Sequence, residues 1–279
     1  MAMATQQRGK ATGFSLIEIL IAIGILGVCL PMAAALFATA VKENEGSYEN
    51  SMGSIICDNG LAVVKMKVPY SSADLTTFAP ITTLGNDATY PIATVWSASA
   101  NYAVNTLVQG ADGKYYVATQ PSGPGNGGPN GPPNTSFWAQ TAPKGFIAIR
   151  RALTAGDNDY QIIIVSHAMD DASHTCAWDQ ITGTMSLDIP TGYSRFTPTD
   201  GKTLQKGAFV VLETPATNIG NTAKVISRSD TDALFDRKLT VDASGTTPLT
   251  GSVKLQTITE IGGGKLSPAL SLTSVRTSL

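Results

Sequence analysis

The sequence predicts an α+β protein in which one long amino-terminal helix packs on an antiparallel β-sheet. Residues 19–41 carry no charged side chain, and apolar residues recur at helical spacing in the segment that follows. Beyond residue 142, short runs rich in β-branched and aromatic residues alternate with turn residues, which is typical of β-strands. A small β-rich insert is expected between the helix and the sheet.

The composition indicates an ordinary folded protein and narrows the choice of partners. The 279 residues are 43% hydrophobic, which suffices for a buried core, and the net charge is -2. The sequence has neither a basic field nor an acidic tail, so no nucleic-acid partner is expected. A charged fraction of only 14%, with abundant Gly, Ser and Thr, favours a secreted β-rich protein over a cytosolic enzyme.

The uncharged run 19–41 is long enough to cross a bilayer, because about 20 apolar residues suffice. Arg8 and Lys10 lie just before it, and no acidic residue precedes Glu18. Positive charge next to a span holds that end in the cytoplasm. The chain after about residue 42 is therefore expected to be exported.

Two simpler interpretations of this run are a cleaved signal peptide and a plain single-span anchor. The residues Ala38-Thr39-Ala40 form an acceptable small-x-small cleavage site. Against a signal peptide, the apolar run is longer than the usual 7 to 15 residues, and it follows directly on a carboxylate. A charge near the membrane centre costs at least ~2.5 kcal/mol and less near the interface, so Glu18 calls for a partner.

Gly13, followed by the run Phe14-Ser15-Leu16-Ile17-Glu18, resembles the type III signal of type IV pilins and type II secretion pseudopilins. The resemblance implies that a prepilin peptidase cuts after Gly13 and methylates the new amino terminus, Phe14. It also implies that Glu18 compensates the cationic amine of Phe14 as helices bundle into a filament. The implied location is the bacterial inner membrane before assembly, and then a pilus or a periplasmic pseudopilus. The implied partners are other subunits, the peptidase and the inner-membrane assembly machinery.

The resemblance gives the domain plan of the first third of the chain. Residues 1–13 are the leader, 14–69 the long helix with 14–41 in the membrane, and 70–94 a connecting loop. An apolar stripe is predicted to lay the second half of the helix on the sheet; it consists of Tyr48, Met52, Ile55, Ile56, Val63 and Met66. Pro69 marks the expected end of the helix.

Three glycines in this half of the helix, Gly46, Gly53 and Gly60, are spaced by seven residues. Each weakens a helix by about 1 kcal/mol relative to alanine. Their spacing on one helix side either allows another element to approach closely or is a matter of chance.

The segment 96–140, within the insert at 95–141, resembles the small chitin- and cellulose-binding modules of families 5 and 12. The residues that carry the likeness and are expected in the core of the insert are Trp96, Tyr102, Tyr115 and Trp138. The segment departs from that pattern because Val104-Asn105 replaces a glycine-aspartate pair and no aromatic pair follows Ala118. The likeness implies a polysaccharide partner, and the departures place that role in doubt.

Tyr116 and Phe137 are the candidate sugar-binding side chains of the insert. Strand alternation is expected to turn Tyr116 away from Tyr115 and therefore outward. Flat aromatic rings bind sugars through apolar contacts with their CH groups, which is why exposed rings are sought here.

Residues 142–279 are expected to form the β-rich head. Its predicted strands run over 146–151, 160–166, 183–189, 208–213, 223–228, 237–241 and 252–261, with a weak last strand at the carboxyl end. Cys29 lies in the apolar run, which leaves Cys57 and Cys176 either to pair as a disulfide after export or to stay as two buried thiols.

The sequence offers little catalytic chemistry. His167 and His174, near Cys176, do not match a common zinc spacing, and a polar loop explains them better than a metal site. Asp157-Asn158-Asp159 lacks the glycine and the distal glutamate of a calcium loop. No phosphate loop, dinucleotide fingerprint or nucleophile elbow is present, so no cofactor, no metal and no enzymatic activity are expected.

These observations favour a structural subunit, a minor pilin or a large pseudopilin, since a bulky head repeated along a shaft would crowd its neighbours. The alternative is a pilus-borne adhesin that binds a polysaccharide through residues 96–140. A membrane-tethered secreted enzyme is a third interpretation, which rests only on unassigned residues. The sequence leaves open whether the filament is a pilus, a secretion pseudopilus or a competence filament.

The mature protein is predicted to begin at Phe14 with a methylated amine, because the Gly13 junction matches the type III signal. Amino-terminal mass spectrometry of the membrane-extracted protein tests this. A start at Val41 would identify the ordinary signal peptidase instead and would leave a protein without the apolar helix.

Overall fold

The structure is a computed structural model. It describes residues 15–67, 78–81, 84–125, 130–141, 143–152, 159–168, 175–214, 222–241, 245–261 and 269–278. The chain divides into two compact units, Met1–Glu49 and Asn50–Leu279, and the boundary falls inside the helix. The described residues confirm the predicted α+β class, because a single long helix is followed by a β-rich region.

The helix α1 spans Leu16–Lys67 and includes Pro31. A short 3₁₀ helix covers Gly85–Ala88. The strands are β1 Ala79–Pro80, β2 Thr89–Tyr90, β3 Thr94–Val95, β4 Leu107–Gln109, β5 Tyr115–Ala118, β6 Trp138–Gln140, β7 Lys144–Ala152, β8 Asp159–Ala168, β9 Thr175–Leu187, β10 Ser194–Pro198, β11 Phe209–Thr214, β12 Thr222–Arg228, β13 Ala233–Phe235, β14 Gly251–Ile261 and β15 Ala269–Ser278.

A central antiparallel sheet is formed by β7, β8 and β15, with β8 in the middle. The short strands β1 and β2 pair with β7 on its other side. Side chains alternate across this sheet, so each of its faces contributes to a different core. One face packs on α1; its buried members include Phe146, Ala148, Tyr160, Ile162 and Ile164.

The end of α1 in the second unit contacts the sheet through small and β-branched side chains. Its buried residues are Gly53, Ile56, Cys57, Gly60, Val63 and Val64. A Cβ added to Gly60 would lie 2.8 Å from Cγ of Phe146, and one added to Gly53 would lie 2.9 Å from Cβ of Leu270. These two glycines therefore let the helix backbone lie directly on sheet side chains, which settles the question that their spacing left open.

The predicted apolar stripe was wrong in half of its members. Ile56 and Val63 are buried as expected, and Met52 is half-buried, but Tyr48, Ile55 and Met66 are 60%, 45% and 75% exposed. The reason is that the glycines bring a different helix side onto the sheet. A stripe chosen by large apolar residues alone misses a contact face built from the smallest ones.

The strands β9 to β14 form a closed six-stranded antiparallel barrel in the order β10-β13-β12-β11-β14-β9. Its interior is filled by apolar side chains, and Phe196 stacks on Phe235 with ring centroids 6.3 Å apart. Gly183 is required beside this pair, because a Cβ there would lie 2.4 Å from Cζ of Phe196. The barrel is inserted in the chain between β8 and β15.

The sequence predicted one antiparallel sheet under the helix, whereas the strands of the β-rich head divide between the central sheet and the barrel. Strand alternation indicates which side chains face a core, but a flat sheet and a closed barrel satisfy it equally well. In place of the predicted strand 237–241, the structure has β13, which ends two residues before that range begins. The short strand β10 was not predicted. The expected weak last strand is the ten-residue β15.

The second face of the central sheet packs on the barrel. Ile149, Ile163 and Val165 of the sheet form one buried cluster with Val211 and Ile258 of the barrel.

A buried polar network joins the same two layers. Nε of Arg151 donates to Oε1 of Gln161 at 3.0 Å, and its guanidinium lies 4.4 Å from the ring centre of Phe78. The Glu213 carboxylate accepts hydrogen bonds from Gln180 and, at 3.0 Å, from Gln256. Burial lowers the pKa of Arg151, and the charge of Glu213 opposes that shift. Nη1 of Arg151 donates to the backbone carbonyl oxygen of Glu213 at 3.4 Å, and this hydrogen bond links the sheet to the barrel. Nη2 of Arg151 is buried without a hydrogen-bond partner among the described residues.

The insert forms a separate four-stranded sheet in the order β3-β4-β5-β6, located in the chain between β2 and β7. It has its own buried cluster of Tyr102, Val108, Tyr116, Ala118 and Trp138. The rings of Tyr102 and Trp138 meet edge to face with centroids 5.4 Å apart. The predicted connecting loop covers residues 70–94, and its first part, residues 70–77, lies outside the described residues.

The Gly60→Ala variant is expected to destabilise the head, because the new methyl group meets the Phe146 ring and overpacking of this kind costs about 1–3 kcal/mol. Gly46→Ala is the matched control, since nothing lies within 4 Å of a Cβ at that position. Unfolding of the detergent-solubilised protein, followed by the fluorescence of Trp96, Trp138 and Trp178, measures the difference. Equal stability of the two variants would contradict the close contact, and Phe146→Leu should restore the stability of Gly60→Ala.

His167, on β8, is buried, and burial lowers its pKa from 6.5 to about 4. In the folded protein it therefore stays neutral while the unfolded chain takes up a proton below pH 6.5. Stability should fall as the pH drops from about 6.5 to about 4, and by about 3 kcal/mol more than in His167→Gln. Chemical unfolding of both proteins across this pH range checks the prediction. Parallel stability profiles would show that His167 is not the titrating group.

Candidate functional site

The amino-terminal end of α1 is closed by a reciprocal pair of hydrogen bonds between Ser15 and Glu18. The backbone N–H of Ser15 donates to Oε2 of Glu18 at 2.8 Å. The backbone N–H of Glu18 donates to Oγ of Ser15 at 3.3 Å. This is a capping box, in which the residue before the helix and the third helical residue satisfy each other's exposed N–H groups.

The capping box gives Glu18 a partner within its own chain. Its carboxylate lies at the end of the helix where the partial charge of the backbone is positive, which favours an anion. The sequence contains the signal for this arrangement, Ser-x-x-Glu directly before an apolar run, although only the charge of Glu18 was used to predict its role. Gly13 and Phe14, the predicted processing residues, lie outside the described residues.

The part of α1 that follows offers an uninterrupted apolar surface. Every side chain from Leu16 to Glu45 is exposed in the structure, although residues 19–41 carry no charge. Such a surface is unfavourable in water and suited to lipid or to other apolar helices. Among the described residues, α1 is the one helix long and apolar enough to cross a membrane.

The aromatic residues of the insert pack mainly on one another. Tyr102 and Trp138 are core residues as predicted, whereas Trp96 and Tyr115 are only half-buried. The prediction that Tyr116 faces solvent was wrong, because only 4% of it is exposed. Tyr115 and Tyr116 do face opposite sides of β5, as expected. However, Tyr116 is the one that faces the buried cluster of the insert. Phe137 is half-buried against the same cluster.

Tyr116 is fixed at its polar end as well. Its hydroxyl donates to Oδ2 of Asp112 at 2.6 Å, and Oδ1 of Asp112 accepts the N–H of Lys114 at 3.1 Å. The hydrogen bond from Tyr116 lowers the pKa of Asp112 and raises the pKa of Tyr116. A ring held on both sides in this way serves the fold of the insert and offers no open face to a sugar.

The sequence left open whether Cys57 and Cys176 pair as a disulfide or stay as thiols, and in the structure they are not bonded to each other. Sγ of Cys57 lies between α1 and the central sheet, 3.7 Å from the carbonyl oxygen of Ile164 and 3.6 Å from that of Ser271. Cys176 belongs to β9 of the barrel. The two thiols thus serve different layers of the head, and backbone carbonyls occupy the space beside Cys57.

The residues considered for metal binding are not brought together in the described part of the chain. No group of three His, Cys, Asp or Glu side chains that could hold an ion occurs there. His174 and the run Asp157-Asn158 lie outside the described residues, and Asp159 begins β8.

Comparison with known proteins adds one finding. A family model described as the prokaryotic N-terminal methylation motif matches residues 8–30. No curated protein and no solved structure matches the chain.

The matched motif, together with the long apolar helix, fits a type IV pilin or a pseudopilin. Proteins of this kind are structural and usually not enzymes, and they interact with other pilin subunits and with prepilin peptidase. The same two features fit a single-pass inner-membrane protein with an exported carboxyl-terminal domain.

Proposed function

We propose that this chain is a structural subunit of a type IV pilus or a type II secretion filament, and that it acts as a minor pilin or a large pseudopilin. The observation that carries the proposal is the carboxylate of Glu18, held in the first turn of an uncharged helix of membrane length. A charge in that position is costly in lipid and becomes useful when helices associate.

The processing step precedes assembly. Prepilin peptidase cuts after Gly13 and methylates Phe14, which creates a cationic amine four residues before Glu18. Arg8 and Lys10 keep the leader on the cytoplasmic side until the cut is made.

Glu18 then has two successive roles. In the single subunit the capping box satisfies part of its hydrogen-bonding capacity and holds the side chain at the helix end. Capping does not neutralise the negative charge, which therefore remains available to the ammonium group of Phe14 in a neighbouring subunit. An ion pair in hydrocarbon is tolerated when both charges and their hydrogen bonds are satisfied, and it fixes the axial register of the packed helices.

The size of the head supports a minor rather than a major subunit. The insert and the barrel are both added to the central sheet that packs on α1. The packing of Tyr116 inside the insert gives no support to the adhesin alternative, since aromatic faces are the sugar-binding device in question.

Two substitutions of Glu18 distinguish the effect of its negative charge from its effect on the capping box. Glu18→Gln should keep the capping box, because glutamine also suits that position, whereas Glu18→Ala should lose it. Both variants are expected to insert into the membrane at the normal level or better and to be incorporated into filaments poorly. Membrane fractionation and quantification of the subunit in sheared filaments measure the two steps.

Ser15→Ala is the matched control, since it removes one hydrogen bond of the cap and keeps the carboxylate. Loss of an N-cap residue costs about 0.5–2 kcal/mol of helix stability. This variant is expected to assemble far better than Glu18→Gln. Normal incorporation of Glu18→Gln would overturn the role of the charge and leave Glu18 as a capping residue only.

A further inference from the structure

The central sheet is covered at one edge and open at the other. On the outer side of β7, the short strands β1 and β2 form hydrogen-bonded pairs with it. At the opposite edge, β15 pairs with β8 from Ala269 to Ser278, and no strand pairs with its outer side among the described residues. This ten-residue strand thus has one hydrogen-bonded neighbour in the described part of the chain.

The outer side of β15 lacks the features that usually protect an edge strand. Such strands are commonly short, interrupted by proline or charged. β15 is ten residues long, contains no proline and has Arg276 as its only charged residue. Its one irregularity lies at its start, between Ala269 and Ser271, and the outer side of residues 271–278 is called the free edge below. Alternate residues of an antiparallel strand direct N–H and C=O outward, so about four residues offer unused backbone groups there.

The two faces of β15 have different surroundings. Residues that pair across two strands lie on the same face of the sheet. Val275 pairs with Ile162, which packs on α1, whereas Ser274 pairs with Ile163, which packs on the barrel. Val275 is half-buried and Ser274 is exposed. A strand that joins the free edge is therefore expected to alternate apolar residues on the α1 face with polar residues on the barrel face.

The helix α1 runs across the strands of this sheet. Ser271, Ser166 and Phe146 lie opposite one another on β15, β8 and β7, and so form one row across the sheet. Gly53 lies against Ser271, and Gly60, about two turns later, lies against Phe146. The helix therefore follows this row, from the free edge at Gly53 toward the covered edge at Gly60.

A second copy of β15 does not suit the free edge. Because each copy has one such edge, two copies could pair through it only about a two-fold axis. This axis, whether normal to the sheet or along the strands, reverses the direction in which α1 crosses them. Two membrane-anchored copies, however, insert their helices in the same direction. The strand that fits this edge therefore belongs to another protein.

We propose that the free edge binds a β-strand from the head of a different filament subunit, which extends the central sheet through backbone hydrogen bonds. This inference rests on the proposed function as a minor subunit. The subunit that follows arrives from the membrane, and Gly53, the glycine contact nearer in the chain to the membrane segment, lies at the free edge. Backbone pairing supplies the contact, and the alternation of apolar and polar residues selects the partner.

Hydrogen exchange of the full chain in detergent tests whether the edge is free. Amides of β15 that point toward β8 should be protected, and the alternate amides from 271 to 278 should exchange roughly a hundredfold faster. Exchange rates at single-residue resolution then identify the outward positions. Protection of all these amides in the isolated chain would overturn the proposal, since the edge would already be paired.

Photo-cross-linking in the native cells tests the partner. The photoreactive residue p-benzoylphenylalanine replaces Arg276, which is exposed on β15, and in the control it replaces Thr203, which is exposed between β10 and β11. The expected adduct at 276, absent at 203, joins this chain to one other protein with its own prepilin-type motif, and the cross-linked peptide has the expected alternation. An adduct with a second copy, or none above the control, would overturn the proposal.

Proline distinguishes backbone pairing from a contact between side chains. Thr273 and Ser274 are neighbours, so one of their N–H groups points outward and the other toward β8. Proline at the outward position should leave the unfolding transition nearly unchanged and should abolish the adduct at 276, because it removes a donor from the free edge. Proline at the inward position should lower the unfolding temperature. Undiminished adduct in the outward variant would contradict strand addition.

The same cells separate this proposal from the proposed function. The amount of the chain in sheared filaments reports the proposed function, and the adduct at 276 reports the strand contact. An adduct without incorporation supports the strand contact and contradicts the filament role. Incorporation without an adduct has the opposite meaning, and the loss of both contradicts both proposals.

Discussion

The contact between α1 and the central sheet is the constraint on which the rest of the exported head depends. Gly53, Cys57 and Gly60 keep the helix surface shallow, so that Phe146 and the β15 backbone can lie directly against it. Small residues sacrifice helix propensity, and that loss is offset by the dense packing they permit. Both additions to the head, the insert and the barrel, enter the chain at connections between strands of this sheet. They can differ in structure without changing the surface that meets the helix.

The sequence predicted the class of the fold well because its strongest signals are local. The apolar run, the basic residues before it and the Gly-Phe junction each fall within a few residues, and periodicity identified most of the strands. The barrel was not predictable in the same way. Closure of β9 to β14 depends on pairings between distant segments, such as β9 with β14, and these leave no trace in the alternation of a single strand.

In the candidate site too, local features could be predicted from the sequence and tertiary contacts could not. The apolar helix and the position of Glu18 could be predicted, and the capping partner Ser15 could have been. The orientation of Tyr116 could not, because one residue of register exchanges the two faces of a strand. The contacts of Cys57 could not be predicted from the sequence either, because they depend on which layer of the head each cysteine joins. Sequence patterns thus identified the residues that matter to the membrane segment, and tertiary packing decided the roles of the others.

The antiparallel pairing of β8 with β15 has a mechanical consequence. The barrel leaves the sheet after Ala168 and returns at Ala269, which are at the same end of two adjacent paired strands. When α1 is held and the barrel is pulled away, β8 and β15 are loaded in the same direction. Their hydrogen bonds to each other then carry little of the force. Lys144, where β7 begins, pairs with Ala168 at that same end, so force that reaches β7 along the chain from α1 would open the β7–β8 ladder one bond at a time. Tension between the helix and the barrel therefore has to be resisted by the buried packing of α1 on the sheet.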